Sequence, residues 1–203
     1  MSFQDFTLAS VQAELGLNIA DQADMFLSVP PVALTPALAT MLLAYAPLAI
    51  GNISEKARSE WLVAPLLGEV WLRSNHEISV ISGASLNVDE AAGLKGICDF
   101  ILSRGRQLFA ASAPIVTIVE AKRDSISDGL GQCAAEMVAA QRFNLRAGRP
   151  IDPIYGCVTT GTFWRFLRLR GTELDIDLTE YPISQPDRIL GVLLHCCGVT
   201  LSA

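Results

Sequence analysis

The stretch PIVTIVEAK, residues 114–122, decides the fold of this chain. Five consecutive β-branched residues, Ile115 to Val119, predict a buried strand that ends in Glu120, Ala121 and Lys122. Side chains alternate along a strand, so Glu120 and Lys122 share one face and Ala121 takes the other. Burial of ionisable groups beside an apolar core costs free energy, and this pair therefore indicates a functional site.

Further β-rich runs flank this strand on both sides. They are EISVIS (77–82), ICDFIL (97–102), IYGCVTT (154–160), FWRFLRLR (163–170) and ELDIDL (173–178). Helical spacing predicts a long helix over 54–74 with a kink at Pro65, a second over 128–147, and a last one from Pro186. Three strands, a helix, three strands and a helix predict an α/β fold in which helices flank a mixed β-sheet.

The N-terminal part of the chain has a different composition. Apolar residues at helical spacing predict one helix near the start, and Thr35-Pro36 predicts the start of another. Residues 25–54 carry no charge, but four prolines and the lack of nearby basic residues favour a buried helix over a membrane span. We expect one domain over 1–203, with 1–53 a helical extension that packs on the core of 54–203 or dimerises.

Composition and charge narrow the function classes. Hydrophobic residues make up 51% and charged residues 18% of the 203 residues, which excludes a largely disordered chain. The net charge of −6 argues against a polybasic nucleic-acid binder. Residues 54–170 are nevertheless net positive and carry most of the arginines, so they form either a nucleic-acid surface or an ordinary solvated face.

Five cysteines without a C-x-x-C motif predict reduced, buried thiols in a cytoplasmic protein and do not favour a zinc site. No basic segment precedes an apolar start, so no signal peptide is predicted.

Asp99 lies in the equally apolar strand ICDFIL, which precedes the deciding strand. If the two strands form an antiparallel hairpin, Asp99 and Glu120 face each other and Lys122 lies on the same side. Two carboxylates and an ammonium group suit metal-assisted hydrolysis of a phosphodiester, with Mg²⁺ or Mn²⁺ as the cofactor. The alternative is structural: an ion pair between Glu120 and Lys122, with Asp99 as a turn cap.

These features resemble the PD-(D/E)XK, or restriction-endonuclease-like, superfamily over roughly residues 54–170. The resemblance is carried by Asp99, the Glu120-Ala121-Lys122 triplet, the preceding helix with its two glutamates, and the helix that begins GLGQCAAEM. Cys98 stands where that signature has proline before the aspartate.

The resemblance also implies roles for individual residues. Asp99, Glu120 and the carbonyl of Ala121 would be metal ligands, Lys122 the catalytic lysine, Glu60 or else Glu55 the helix acid, and Gln132 the helix glutamine. It implies a Mg²⁺-dependent nuclease that cuts DNA. The alternatives are a catalytically idle protein of the same fold that binds nucleic acid or a protein partner, and a membrane-peripheral protein that uses residues 25–50. The apolar surplus in 25–50 and in the C-terminal helix further predicts a homodimer.

Overall fold

The computed structural model describes residues 1–51 and 54–200. Residues 52–53, in the predicted N-terminal extension, and 201–203, at the end of the predicted core, lie outside the described residues. The chain forms an α/β structure with one mixed sheet of eight strands and helices on both faces.

The described residues contain eight strands. They are β1 (Asn18–Gln22), β2 (Ile78–Ser85), β3 (Ile97–Arg104), β4 (Ile115–Ala121), β5 (Ile154–Thr159), β6 (Phe163–Arg170), β7 (Glu173–Asp177) and β8 (Tyr181–Pro182). Six of these eight correspond to the predicted runs, and β1 and β8 are additional. In the sheet they are arranged β1-β7-β6-β5-β4-β3-β2, with β8 beside β6. The pairs β1–β7 and β4–β5 are parallel and the others antiparallel. The mixed sheet predicted from the strand order is therefore confirmed.

Within residues 1–51 and 54–200, six α-helices cover the sheet. They are α1 (Leu8–Leu15), α2 (Pro36–Ile50), α3 (Glu55–Arg58), α4 (Ala64–Arg73), α5 (Ser127–Arg146) and α6 (Pro186–Cys196). One face of the sheet packs against α1 and α5, and the other against α2, α4 and α6. Every residue of β4 is buried between these layers, as its unbroken apolar run predicts.

The helix predicted over 54–74 is interrupted earlier than its proline suggested. A π-helical turn, Ser59–Val63, joins α3 to α4, and Pro65 lies in the first turn of α4, where its missing N–H is tolerated. The predicted turn between β5 and β6 is present, and Gly161 adopts a φ of +79° there, which a side chain would disfavour.

The N-terminal segment differs from the helical extension predicted for 1–53. It includes β1, which pairs in parallel with β7, and its apolar residues Phe3, Phe6 and Val11 belong to the core on the α5 face. The segment is thus built into the sheet. Sequence reasoning missed β1 because its five residues, NIADQ, form a mostly exposed edge without apolar alternation.

The helix predicted to be buried in the uncharged segment lies in the outer layer instead. Only Leu38, Leu42 and Ala49 of α2 are buried, and Leu43 is 82% exposed. Composition misled here because an outer helix needs only one apolar face for packing. Among the helices of residues 1–51 and 54–200, none is both long and apolar enough to cross a membrane.

All five cysteines are free and buried, as predicted.

Candidate active site

The candidate site lies where β3 and β4 separate. The antiparallel pairing of the two strands ends where Phe100 lies opposite Val119. At Asp99, the neighbour of Phe100 on β3, the side-chain carboxylate accepts a hydrogen bond of 2.8 Å from the backbone N–H of Ala121. On its other side β4 stays paired with β5 as far as Ala121. The Asp99 side chain therefore replaces a strand partner and lies against the main chain of the Glu-Ala-Lys triplet.

Glu120 and Lys122 share one face of the sheet, as strand alternation predicts. The Nζ of Lys122 lies 2.7 Å from Oε1 of Glu120, with the Glu120 side chain 3% exposed and the Lys122 side chain 21% exposed. Asp99 is near enough to act on both, since its charge raises the pKa of Glu120 and of Lys122. The structure thus brings together the three residues that the sequence singled out.

Helix α5 adds two further polar side chains to this cluster. Oε1 of Gln132 accepts a hydrogen bond of 2.8 Å from Nζ of Lys122. Nε2 of the same amide donates at 3.0 Å to Oε1 of Glu136, one helical turn along on the same face. Lys122, Gln132 and Glu136 therefore form a continuous hydrogen-bonded chain that runs from the half-buried lysine to the fully buried Glu136.

Glu136 was not among the residues that the sequence singled out. It is fully buried. The available signal was its position in AAEMVAA, where it is the one charged residue among apolar neighbours on a helix packed against the sheet. A charged residue in that setting needs a polar partner, and Gln132 supplies it.

Gly129 allows α5 to approach the site closely. A Cβ atom at this position would lie 2.6 Å from Cγ1 of Val158 and 3.0 Å from Cγ of Lys122. Distances this short require the neighbouring atoms to move. Glycine therefore lets the helix rest directly on the lysine stem and fixes where the ammonium group lies.

Carboxyl groups outnumber basic groups in the cluster, and the pKa values of these carboxyl groups are raised. Burial, the largest cause, and the charge of Asp99 raise the pKa of Glu120 to about 8, although Lys122 acts in the opposite direction. Burial also raises the pKa of Asp99, partly offset by the hydrogen bond from Ala121. Burial and then the charge of Glu120 hold the pKa of Glu136 well above its ordinary range.

The pKa values of the two remaining groups move in the same direction. Burial lowers the pKa of Lys122, but the carboxylate of Glu120 outweighs it, and the net pKa is raised. The Cys98 thiol also has a raised pKa, from burial first and from Glu136 second. Burial and mutual repulsion therefore favour the protonated forms of Glu120 and Glu136.

Two carboxylate oxygens in this cluster lack hydrogen-bond partners. Oε2 of Glu120 and Oε2 of Glu136 are both buried and unpaired within the described residues. Leaving such a group unsatisfied typically costs about 1–3 kcal/mol or more. Glu120 directly precedes Ala121, the residue that donates to Asp99. A cation bound at this point would compensate the free Oε2 of Glu120.

A groove of about 310 Å³ opens beside Asp99 and Ala121. Both helix glutamates considered above, Glu55 and Glu60, line it. Glu60 forms an exposed ion pair with Lys56 at 2.8 Å, whereas the charge of Glu55 raises the pKa of both Glu120 and Lys122. The geometry therefore favours Glu55 over Glu60 as the acid nearest the cluster.

The carboxylate oxygens of this site suit a hard divalent cation of the kind that is held by only a few protein ligands. In the described part of the chain, no group of three or more His, Cys, Asp or Glu side chains has the arrangement of a metal-binding cluster. Mg²⁺, however, is commonly held by one or two carboxylates and keeps several waters. Asp99 and Glu120, with the free Oε2 of Glu120, meet that smaller requirement.

The arginines that suggested a nucleic-acid surface are mostly held by the protein itself. Arg142 pairs with Asp89, Arg165 with Glu180 and Arg168 with Asp175, while Arg146 and Arg149 donate to main-chain carbonyls. They do not form one free basic stripe. Any contact with a polyanion is therefore more local than the sequence suggested.

No protein-family model matches the chain, and no curated protein matches it. Function must therefore be argued from the geometry of the cluster.

Proposed function

We propose that this chain is a Mg²⁺-dependent nuclease that hydrolyses phosphodiester bonds of DNA and has a restriction-endonuclease-like core. The observation that carries the proposal is the group formed by Asp99, Glu120, Lys122 and Glu136, in which Glu120 pairs with the ammonium group and, among the described residues, keeps a buried, unpaired oxygen. A purely structural ion pair would need one carboxylate for one lysine. A metal ion at this site would take the place of the protons that the extra carboxyl groups hold, and hydrolysis of a phosphodiester uses such an ion.

Each residue of the cluster has a separate task in this mechanism. Asp99 and Glu120 would hold Mg²⁺, with the Ala121 carbonyl as a further ligand. When bound, Mg²⁺ would supply neutralisation of the charge that develops on the phosphate in the transition state. Lys122 would orient the attacking water with its ammonium protons, since its stem rests on α5 and its Nζ is already fixed by two acceptors.

Gln132 and Glu136 would act through Lys122. The amide of Gln132 accepts from Nζ, and Glu136 fixes the amide in that orientation by accepting from Nε2. Glu55 lines the groove through which water and substrate reach the cluster.

The proposal includes a second copy of the chain as a partner. Leu43, Leu48 and Ile50 of α2 are exposed large apolar residues in a segment without charge, and such a patch is typical of an association surface. A homodimer would present two active sites to one DNA duplex.

The decisive experiment is single-turnover cleavage by parent and Lys122→Ala protein at matched folded fraction. Plasmid, single-stranded DNA and RNA are incubated with Mg²⁺, Mn²⁺ or chelator. We expect metal-dependent cleavage by the parent and a loss of roughly 10²–10³-fold in the variant, the usual range for removal of one positioned hydrogen-bond donor. Lys95→Ala is the matched control, because Lys95 pairs with Glu90 on the surface.

Equal rates for parent and Lys122→Ala in every arm would end the nuclease proposal. The protein would then be the idle form of this fold, in which the cluster serves binding or stability only.

A further inference from the structure

A second polar cavity adjoins the candidate active site. It has a volume of about 430 Å³ and is called here the Arg58–Arg165 pocket. Two arginines, four hydroxyl side chains and an aromatic ring contribute to its walls: Arg58, Arg165, Ser125, Ser127, Thr160, Thr162 and Phe163, together with Asp124, Ile126 and Glu180. Positive charge and hydroxyl donors in one cavity are typical of a site for an oxyanion.

Arg58 is a cation without a carboxylate partner among residues 1–51 and 54–200. Its Nη1 donates to the main-chain carbonyl of Arg123, and its Nε is buried with no hydrogen-bond partner in the same described part of the chain. A buried donor without a partner costs free energy. An anion in the pocket would relieve that cost by drawing the guanidinium group outward.

Arg165 has the same feature on the opposite element, β6. Its Nη2 pairs with Glu180 at 2.8 Å, but its Nε is likewise buried and unpaired within the described residues. The Glu180 side chain is 43% exposed, so it can turn to solvent when an anion competes for the guanidinium group. Two arginines with unsatisfied Nε donors therefore line one cavity.

The hydroxyl groups occur as two mutually bonded pairs. The Oγ atoms of Ser125 and Ser127 are 2.6 Å apart, and the Oγ1 atoms of Thr160 and Thr162 are 3.0 Å apart. In each pair one hydroxyl donates to the other, and the accepting hydroxyl keeps its own hydrogen for a further acceptor. The pocket therefore offers hydroxyl donors in addition to the guanidinium groups.

The carboxylate of Asp124 is the remaining charge in the pocket. It forms an ion pair at 2.6 Å with Arg123, and both side chains are mostly exposed. Phe163 is 46% exposed and gives the pocket an aromatic surface of the kind on which a sugar or base can pack.

The position of the pocket relates it to the proposed reaction. Arg58 donates to the carbonyl of Arg123, the residue after Lys122, and its helix also carries Glu55, which lines the groove beside Asp99. Two residues of chain, spanning at most about 7 Å, separate Lys122 from Asp124. The pocket and the groove thus lie next to each other along the Lys122 segment.

We infer that the Arg58–Arg165 pocket binds a phosphate group of the nucleic-acid strand, next to the phosphodiester that faces Lys122. Phosphate binding is a property of the pocket itself, whereas its placement beside a scissile bond rests on the proposed function. The occupant is an oxyanion held by two guanidinium groups and hydroxyl donors.

The first test uses inorganic phosphate as the probe. Thermal unfolding is measured with increasing phosphate, with chloride at matched ionic strength, for parent, Arg58→Gln and Thr162→Val. We expect phosphate to raise the Tm of the parent beyond chloride, with at least a tenfold loss of apparent affinity in Arg58→Gln and a smaller loss in Thr162→Val. Arg142→Gln, which removes a surface ion pair elsewhere, should behave as the parent.

Two results would overturn the inference: no phosphate effect beyond chloride in the parent, or an effect of equal size in the parent and both pocket variants. Thr162→Val keeps the test usable if Arg58→Gln does not fold.

The second test separates this inference from the nuclease proposal. Binding of a single-stranded oligonucleotide is measured in chelator across a salt series. We expect Arg58→Gln to reduce the slope of log K against log salt by about one, as for a lost phosphate contact. Phosphate binding without metal-dependent cleavage would refute the nuclease alone. Cleavage with unchanged oligonucleotide affinity and salt slope in Arg58→Gln would refute the pocket alone.

Discussion

Metal binding to the candidate site should depend steeply on pH, because Glu120 must lose a proton to become a ligand. Its pKa of about 8 means that the carboxyl group is mostly protonated at neutral pH in the metal-free protein. Below that pH, each unit costs about a factor of ten in metal affinity, or about 1.4 kcal/mol. We expect Mg²⁺ or Mn²⁺ to bind on the order of a hundredfold more weakly at pH 6 than above pH 8.

The same carboxyl group should make the metal-free fold less stable as pH rises. Its pKa is about 8 in the folded state against an ordinary value of 4.5, so the unfolded chain loses this proton first. The free energy of unfolding therefore falls between about pH 4.5 and pH 8, and outside that window Glu120 adds no further pH dependence. At pH 7 the difference amounts to about 3 kcal/mol.

Glu120→Gln removes the titrating group at nearly constant volume. In chelator at pH 7 the variant should be more stable than the parent by up to about 3 kcal/mol, and its stability should vary less with pH. It should also lose the stabilisation by Mg²⁺ or Mn²⁺ that the parent gains through linkage.

The assay is thermal and urea unfolding at pH 6, 7, 8 and 9, with chelator or with the metal. Glu90→Gln is the matched control, because Glu90 is an exposed carboxylate in a surface ion pair. A metal-induced shift that is the same at pH 6 and pH 8, or that persists in Glu120→Gln, would refute this account of the site.

Three further perturbations test other parts of the structure. Glu136→Met, which removes both a fully buried acid and the acceptor of the Gln132 amide, should lower single-turnover cleavage because the amide is no longer fixed; unchanged cleavage would exclude a positioning role. Gly131→Ala should lower the free energy of unfolding in urea by about 1–3 kcal/mol, because its Cβ would lie 2.5 Å from main-chain atoms. Gly68→Ala is the control: its Cβ would lie in open space, and the variant should be more stable than the parent by about 1 kcal/mol. Equal stabilities of the two variants would contradict the packing. Leu43→Lys should convert the proposed dimer to a monomer in light scattering without loss of Tm, and a parent that is monomeric at micromolar concentration would refute the dimer.

Much of the sheet could be predicted from the sequence because its strands are apolar and bounded by turn residues. Run FWRFLRLR matches β6, residues 163–170, and the other five predicted runs differ from the structure by at most three residues at either end. The strand β1 could not be predicted, because its pairing with β7 is a contact across more than 150 residues that leaves no local pattern.

The residues themselves indicate the candidate site only where a charge interrupts an apolar run. Asp99, Glu120 and Lys122 stand out for that reason. The resemblance adds Gln132, which does contact Lys122. The arrangement around them depends on tertiary packing. Gln132 contacts Lys122 because Gly129 lets α5 approach, and Glu136 contacts Gln132 in turn. Glu60 pairs with Lys56 on the surface, whereas the charge of Glu55 acts on Glu120 and Lys122. The role of Arg58 had no sequence signal, since a lysine- and arginine-bearing turn is ordinary on a helix surface.

The distribution of charge explains how a chain with a net negative charge would bind and cleave a polyanion. The cluster around Glu120 has surplus acid, and the neighbouring Arg58–Arg165 pocket has two guanidinium groups with unsatisfied donors. Both features suit cleavage of a phosphodiester. Carboxylates hold a cation against the reacting phosphate, and guanidinium groups anchor an adjacent phosphate. Because Arg142, Arg146, Arg149 and Arg168 are held by the protein, contact with the strand should be confined largely to this short region. The salt dependence of oligonucleotide binding should therefore correspond to about one or two phosphate contacts, and a slope typical of six or more would show that a different, wider surface binds the strand.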